Sequence, residues 1–192
     1  MIRRVDLRGA AAASPDYRTL VPRAEFDVDA ALDVVRPICD DVRERGVVAI
    51  LEYAAQFDGV DQTDIAVPAE ALARALDELD PGVRAGLEES IRRLRATCEA
   101  ELEQDVVTDL GSGARVTQRM VPVDRVGLYV PGGLAPLVSS VVMNVVPAQV
   151  AGVRSIALTS SPQRSVPNDW GVGLPHPTIL AACALQIGRA HV

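Results

Sequence analysis

The chain has 192 residues, of which 48% are hydrophobic and 23% charged, with a formal net charge of −7. That balance describes an ordinary globular chain of one domain or two small ones, too acidic to offer a footprint for nucleic acid or an anionic membrane. All 19 basic residues are arginine, which excludes a Walker-type phosphate lysine and Schiff-base chemistry.

Residues 1–26 read as a loosely structured arm. Its start, "MIRRVDLRGAAAASPDYR", lacks the continuous apolar stretch of a secretory signal. Cys39, Cys98 and Cys183 are odd in number, widely spaced and without a CxxC pair. They predict reduced, mostly buried thiols in a cytoplasmic protein, not a disulfide framework or a cysteine zinc site. Asp27 or Asp29 can cap a helix with apolar positions Leu32, Val35, Ile38, Cys39 and Val42, ending at Gly46. Pro37 inside it predicts a kink or a later start.

A second helix is expected through "VVAILEYAAQFDG", stopped by Asp58-Gly59, and an alanine-rich one over Ala69–Leu79. Asp80-Pro81 supplies an N-cap and a first-turn proline. The helix that follows sets Val83, Leu87, Ile91, Leu94, Cys98 and Leu102 on one face, with Arg84, Glu88, Glu89, Arg92, Arg93 and Arg95 on a solvated face. Gly111-Ser112-Gly113 marks a turn, and the alternation at Val116, Gln118 and Met120 predicts a strand.

Val126–Val130 predicts a strand of the kind buried on both faces of a parallel sheet. A glycine turn follows at Pro131-Gly132-Gly133. The uncharged segment Leu134–Val153 has a membrane-span length, but Pro136, Pro147, Asn144 and Gln149 favour a buried helix from about Leu137 to Val150. A strand at Arg154–Ser160, a proline-rich loop and the helix "TILAACAL" complete a β-turn-α-β-loop-α order. This is the opening of a doubly wound parallel sheet.

"RVGLYVPGGLAPLVSSVVMNVVPAQVAGV" (Arg125–Val153) resembles the signature region of the histidinol dehydrogenase family. Upstream, "PRAEFDVDAALDVVRPICDDVRERG" and "LEYAAQFDGVD" lie in family order, and downstream "HPTILAACAL" resembles the helix before the next strand. The resemblance runs from Pro22 to Leu185. It departs at Val47-Val48, where an acidic or small residue is usual, and at the long insert Gln163–Pro177.

The resemblance implies an α/β chain with a helical N-terminal part and the first half of a Rossmann-like doubly wound parallel sheet domain, both incomplete. On that reading residues 1–26 are the arm and 27–124 the first, mainly helical part of the incomplete domain. Residues 125–185 then start the Rossmann-like, NAD-contacting domain. Gln186–Val192, "QIGRAHV", back-translates to a common short-read sequencing adapter and is expected to be a scar on a truncated gene product.

The resemblance further implies oxidation of L-histidinol to L-histidine in two NAD-dependent steps through the aldehyde. It implies a zinc ion and a cytoplasmic homodimer at full length. Zinc ligands and catalytic bases are expected beyond residue 185, so no catalytic or metal residue is assigned here, and the fragment is expected to be inactive alone. Two alternatives stay open: a related NAD-dependent dehydrogenase of another small polyol, such as a sulfonated propanediol, and a non-catalytic dinucleotide-binding remnant. An aldehyde dehydrogenase is disfavoured, because no cysteine follows a strand or glycine turn as an activated thiol would.

One site residue carries over from the family: the tyrosine of "GLYVPGG", Tyr129, as an NAD contact. The C-terminal end of a parallel strand lies at the crevice where open α/β sheets bind ligands, and tyrosine offers both a ring and a hydroxyl. "YVPGG" is not a GxGxxG fingerprint; Gly132 and Gly133 could let backbone approach the cofactor closely, but they read first as a tight turn with positive φ. Ser139 and Ser140 read as helix caps rather than anion donors, and Ser160-Ser161-Pro162 as a strand-to-loop turn. His176 reads as a solvent-exposed loop histidine and His191 lies in the adapter-like tail. Trp170 reads as a loop anchor.

Overall fold

The computed structural model describes residues 28–133, 135–164 and 173–187. The chain divides into two compact units, residues 1–44 and 45–192. Helix α1 (Val28–Arg45) accounts for the described part of the first. It starts well before Pro37 and continues past it, with Asp29 in its first turn. The late start considered from the sequence is therefore not observed, and Asp27 lies outside the described residues.

In the second unit, α2 (Val47–Tyr53) passes into a single π-helical stretch at Ala54–Asp58. Tyr53 and Phe57 stack there with ring centroids 5.5 Å apart. Gly59, left-handed at φ 65, ends the helix as the Asp58-Gly59 pair predicts. Helix α3 (Ala69–Asp77) precedes α4 (Pro81–Glu101). The Asp80 carboxylate caps α4 by accepting from the amides of Gly82 (2.8 Å) and Val83 (3.0 Å). Leu87 of α4 is buried, and Ile91, Leu94 and Cys98 pack against the same core. The outer face carries the expected ion pairs, Arg84–Glu88 at 2.9 Å and Glu89 with both Arg92 and Arg93 at 2.7 Å. Two guanidiniums hold the Glu89 carboxyl down at about 2.

The expected strand after Gly113 is present as β2 (Ala114–Gln118), but it pairs antiparallel with a strand the sequence did not disclose, β1 (Val106–Gly111). Ser112, at φ 51, turns the hairpin between Gly111 and Gly113. Every residue of both strands is exposed. The hairpin is separate from the parallel pair that follows.

Strand β3 (Arg125–Val130), helix α5 (Val138–Val150), strand β4 (Ser155–Ser160) and helix α6 (Pro177–Gln186) follow in the order read from the sequence. Strands β3 and β4 pair parallel in unbroken register from Arg125↔Ser155 to Val130↔Ser160. α5 packs on α4 and on α6, and α3 packs on α6. The core combines Val130 and Leu158 from the strands with Val141, Val142, Val145 and Val146 of α5 and Ile179–Cys183 of α6. Each large aliphatic side chain buried there contributes about 1.5–3 kcal/mol.

Gln149 ties three helices together. Its Oε1 accepts from Arg95 of α4 at 2.6 Å, and its Nε2 donates to the Gln186 carbonyl of α6 at 2.8 Å. Gln186 is the last residue of α6; residues 188–192 lie outside the described residues. Among the described residues no helix is long and apolar enough to cross a membrane, and α5 spans only 13 residues.

The structure corrects one expectation about β3. Its Val126, Leu128 and Val130 turn toward the helices, while Arg125, Gly127 and Tyr129 are exposed. In β4, Ile156, Leu158 and Ser160 are buried and Ala157 is exposed. Among the described residues the parallel pair is thus covered on one face only. A strand buried on both faces would require a layer of structure over Gly127, Tyr129 and Ala157 as well.

Candidate functional site around Tyr129

Tyr129 is the penultimate residue of β3 and belongs to the open face, with 60% of its surface exposed. Period-2 alternation puts it there, because its neighbours Leu128 and Val130 supply the packed face. Its hydroxyl lies 3.2 Å from Ser161 Oγ, just past the end of β4. Because the strands are parallel, the loops that leave both C-terminal ends meet at this edge, where ligands settle in open α/β sheets.

These two loops are fastened to each other. Gln163 Nε2 donates to the Gly132 carbonyl at 2.8 Å. The Gln163 backbone is held in turn: its amide donates to the Leu174 carbonyl at 2.9 Å, and the Gly173 amide returns a bond to the Gln163 carbonyl at 2.9 Å. Gln62 donates to the Gly173 carbonyl and Arg164 to the Phe57 carbonyl, so the described ends of the 163–177 insert are moored to the segment after α2. Residues 165–172, including Trp170, lie outside the described residues.

Gly132 has a different role from the one expected. Neither Gly132 nor Gly133 has a positive φ, so left-handed turn geometry does not account for them. A Cβ on Gly132 would lie 2.5 Å from Ser160 Oγ and 2.9 Å from Ile179 Cδ1. The glycine is there for close approach: the loop after β3 rests directly on the end of β4 and the first turn of α6. Gly133 meets no such constraint among the described residues, where Ser161 Cβ, at 3.8 Å, is the first atom a Cβ would meet. Ser160 itself is 1% exposed, and among the described residues its hydroxyl has no hydrogen-bond partner.

The remaining candidates fall away from this edge. Ser139 and Ser140 lie in the first turn of α5, but no side chain caps that helix, which corrects the capping expectation. Ser139 instead lines an apolar cavity of about 570 Å³ between α4 and α5, with Val83, Leu87, Leu94, Val142 and Met143. That cavity offers surface for burial rather than acid–base groups.

His176 is a helix cap, not a solvent-exposed loop residue. Its Nδ1 accepts from the Thr178 amide at 3.2 Å, and partial burial lowers its pKa. Of the thiols, Cys183 is buried and its pKa is pushed up to about 12 by desolvation, far from an activated nucleophile. Cys98 is half-buried, but Cys39 is exposed, against the expectation of burial. Among the described residues no three His, Cys, Asp or Glu side chains come together in a way that could hold a metal ion. His191 is outside them.

Sequence reasoning proposed Tyr129 but passed over Ser161 and Gln163, which the structure brings to the same edge. Ser161 was explained by a turn and Gln163 by an unfamiliar insert. The signal that finds both is positional, since each follows the C-terminal end of the strand next to β3.

Comparison with known proteins agrees with this architecture. The histidinol dehydrogenase family profile matches residues 21–189. The histidinol dehydrogenase of Streptomyces avermitilis is 56% identical over 186 residues, covering 96% of this chain and 41% of the relative. That of Thermobifida fusca is 57% identical over 185 residues, covering 96% of this chain and 40% of the relative. The crystal structure of histidinol dehydrogenase from Elizabethkingia anophelis superposes with a TM-score of 0.77 at 25% identity, over 89% of this chain and 37% of that one. The chain thus spans about two-fifths of the length of the curated relatives it matches, and across that span it belongs to the histidinol dehydrogenase family.

Proposed function

We propose that these residues form the N-terminal part of an NAD- and zinc-dependent histidinol dehydrogenase, a cytoplasmic homodimer that oxidises L-histidinol to L-histidine through the aldehyde. Within it, Tyr129 contacts NAD. The observation that carries this assignment is the position of Tyr129: an exposed aromatic ring on the open face of a parallel pair, at the strand ends, inside the family's signature block.

The described residues fit the cofactor in part. Tyr129 presents a ring for packing and a hydroxyl for hydrogen bonding, and the glycine turn beside it brings backbone to the same edge. They do not fit zinc, so its ligands belong to other residues and no step is routed through it here. Bound NAD supplies the hydride acceptor. The contribution of this chain is to hold that acceptor: Tyr129 braces one side, and the loop after β4 shapes the edge next to it.

The test is a steady-state assay of a full-length enzyme carrying these residues, following NADH formation with L-histidinol. Turnover dependent on histidinol, with a raised KM for NAD in Tyr129→Ala, is the expected result. A soluble, folded enzyme that oxidises a different small polyol and not histidinol would overturn the substrate. One that neither binds nor reduces NAD would overturn the assignment altogether.

A further inference from the structure

We infer that Ser161 is a positioning residue that orients Tyr129 toward the cofactor; this rests on the NAD-contacting role proposed for Tyr129. Among the described residues nothing packs on the open face of the sheet to select the rotamer of the Tyr129 ring, and ordering such a ring at binding costs affinity. The hydroxyl of Tyr129 is nevertheless held, at 3.2 Å from Ser161 Oγ.

Ser161 is a suitable anchor because its own freedom is small. It follows Ser160, buried beneath Gly132, and precedes Pro162, whose ring restricts the backbone of the residue before it. Two residues on, the Gln163 side chain pins the same loop to the Gly132 carbonyl at 2.8 Å. The loop after β4 is therefore joined to β3 through the tyrosine hydroxyl and to the loop after β3 through the Gly132 carbonyl. Whichever hydroxyl donates in the Tyr129–Ser161 pair, the pair retains one hydrogen and further lone pairs to meet a polar group of the ligand. Ser161 acts through Tyr129; it need not touch the reacting atoms.

The experiment is a double-mutant cycle in a full-length enzyme carrying these residues, with KM for NAD and kcat measured separately. Ser161→Ala is expected to raise KM for NAD about five-fold, equivalent to about 1 kcal/mol for one neutral hydrogen bond, with kcat within two-fold of the parent. Tyr129→Phe should reproduce that change, Ser161→Thr should restore the parent value, and Ser161→Ala/Tyr129→Phe should be no worse than either single variant.

If Ser161→Ala leaves KM unchanged, or the two effects multiply in the double variant, the positioning role is overturned. A loss of kcat and thermal stability in Ser161→Ala without a KM change would assign the residue to folding and overturn it equally. Tyr129→Ala separates the two levels. If it raises KM and Ser161→Ala does not, only this inference fails; if it leaves KM unchanged, the cofactor role of Tyr129 fails with it.

Discussion

Gly132 and Gly133 are adjacent in sequence, yet alanine should separate them sharply. At Gly132 the new methyl would meet Ser160 Oγ at 2.5 Å and Ile179 Cδ1 at 2.9 Å. Rotation of the serine relieves only the first contact, since Ser160 Cβ stands back at 3.8 Å. Ile179 is 0% exposed and packed in the core, so its methyl has nowhere to retreat. Overpacking of this kind costs about 1–3 kcal/mol. At Gly133 the first atom a Cβ would meet among the described residues is 3.8 Å away and φ is not positive, so alanine there should fall within about 0.5 kcal/mol of the parent or stabilise slightly through the unfolded chain. Urea unfolding of the two variants in a full-length enzyme carrying these residues measures the difference. Ser160→Ala removes a buried hydroxyl that has no partner among the described residues and should be neutral or mildly stabilising; added to Gly132→Ala, it should recover part of the loss. Equal midpoints for Gly132→Ala and Gly133→Ala would refute the close-approach account.

Other consequences are equally concrete. Asp80→Ala removes the acceptor for two amides at the start of α4 and should cost about 1 kcal/mol, whereas Asp80→Asn should retain most of it, as read from the same urea titrations. Burial lowers the His176 pKa below its unfolded value of ~6.5. Between the two values the unfolded chain binds the proton and the native one does not. Stability is therefore fully present above the unfolded pKa and declines as pH falls through the folded one. Protonation would also remove the Nδ1 acceptor from the Thr178 amide. Thermal melts at stepped pH should show a decline that His176→Asn, a cap without a titration, flattens. The 192-residue chain expressed alone should unfold broadly at low urea, bind hydrophobic dyes and show no histidinol turnover. Its parallel pair has one open face and its hairpin exposes Val106, Val107, Leu110 and Val116. A sharp, cooperative melt would contradict this.

Much of the fold was legible because it rests on local rules. The Asp80-Pro81 cap, the apolar face of α4, the Gly59 stop and the β-α-β-α order each follow from a few neighbouring residues. β1 was not legible: "VVTDLG" has no clean alternation, and its strand character comes from pairing with β2 across a turn. The one-sided burial of β3 was missed because an apolar run predicts a buried strand but not which layers are present to bury it. Gly132 was misassigned for a related reason. Glycine in a turn suggests positive φ, whereas the reason here is an atom 28 residues further along the chain, Ser160 Oγ. Tyr129 was proposed from its motif; Ser161, hydrogen-bonded to its hydroxyl, emerged only from the placement of the loop after β4.

The central claim is that Tyr129 marks the cofactor side of this sheet. A crystal structure of a full-length enzyme carrying these residues, solved with NAD, tests it most directly. The account predicts the cofactor against the Tyr129 ring, at the C-terminal ends of β3 and β4, with the Tyr129–Ser161 hydrogen bond intact. NAD bound elsewhere, with Tyr129 packed beneath another layer of protein, would contradict it.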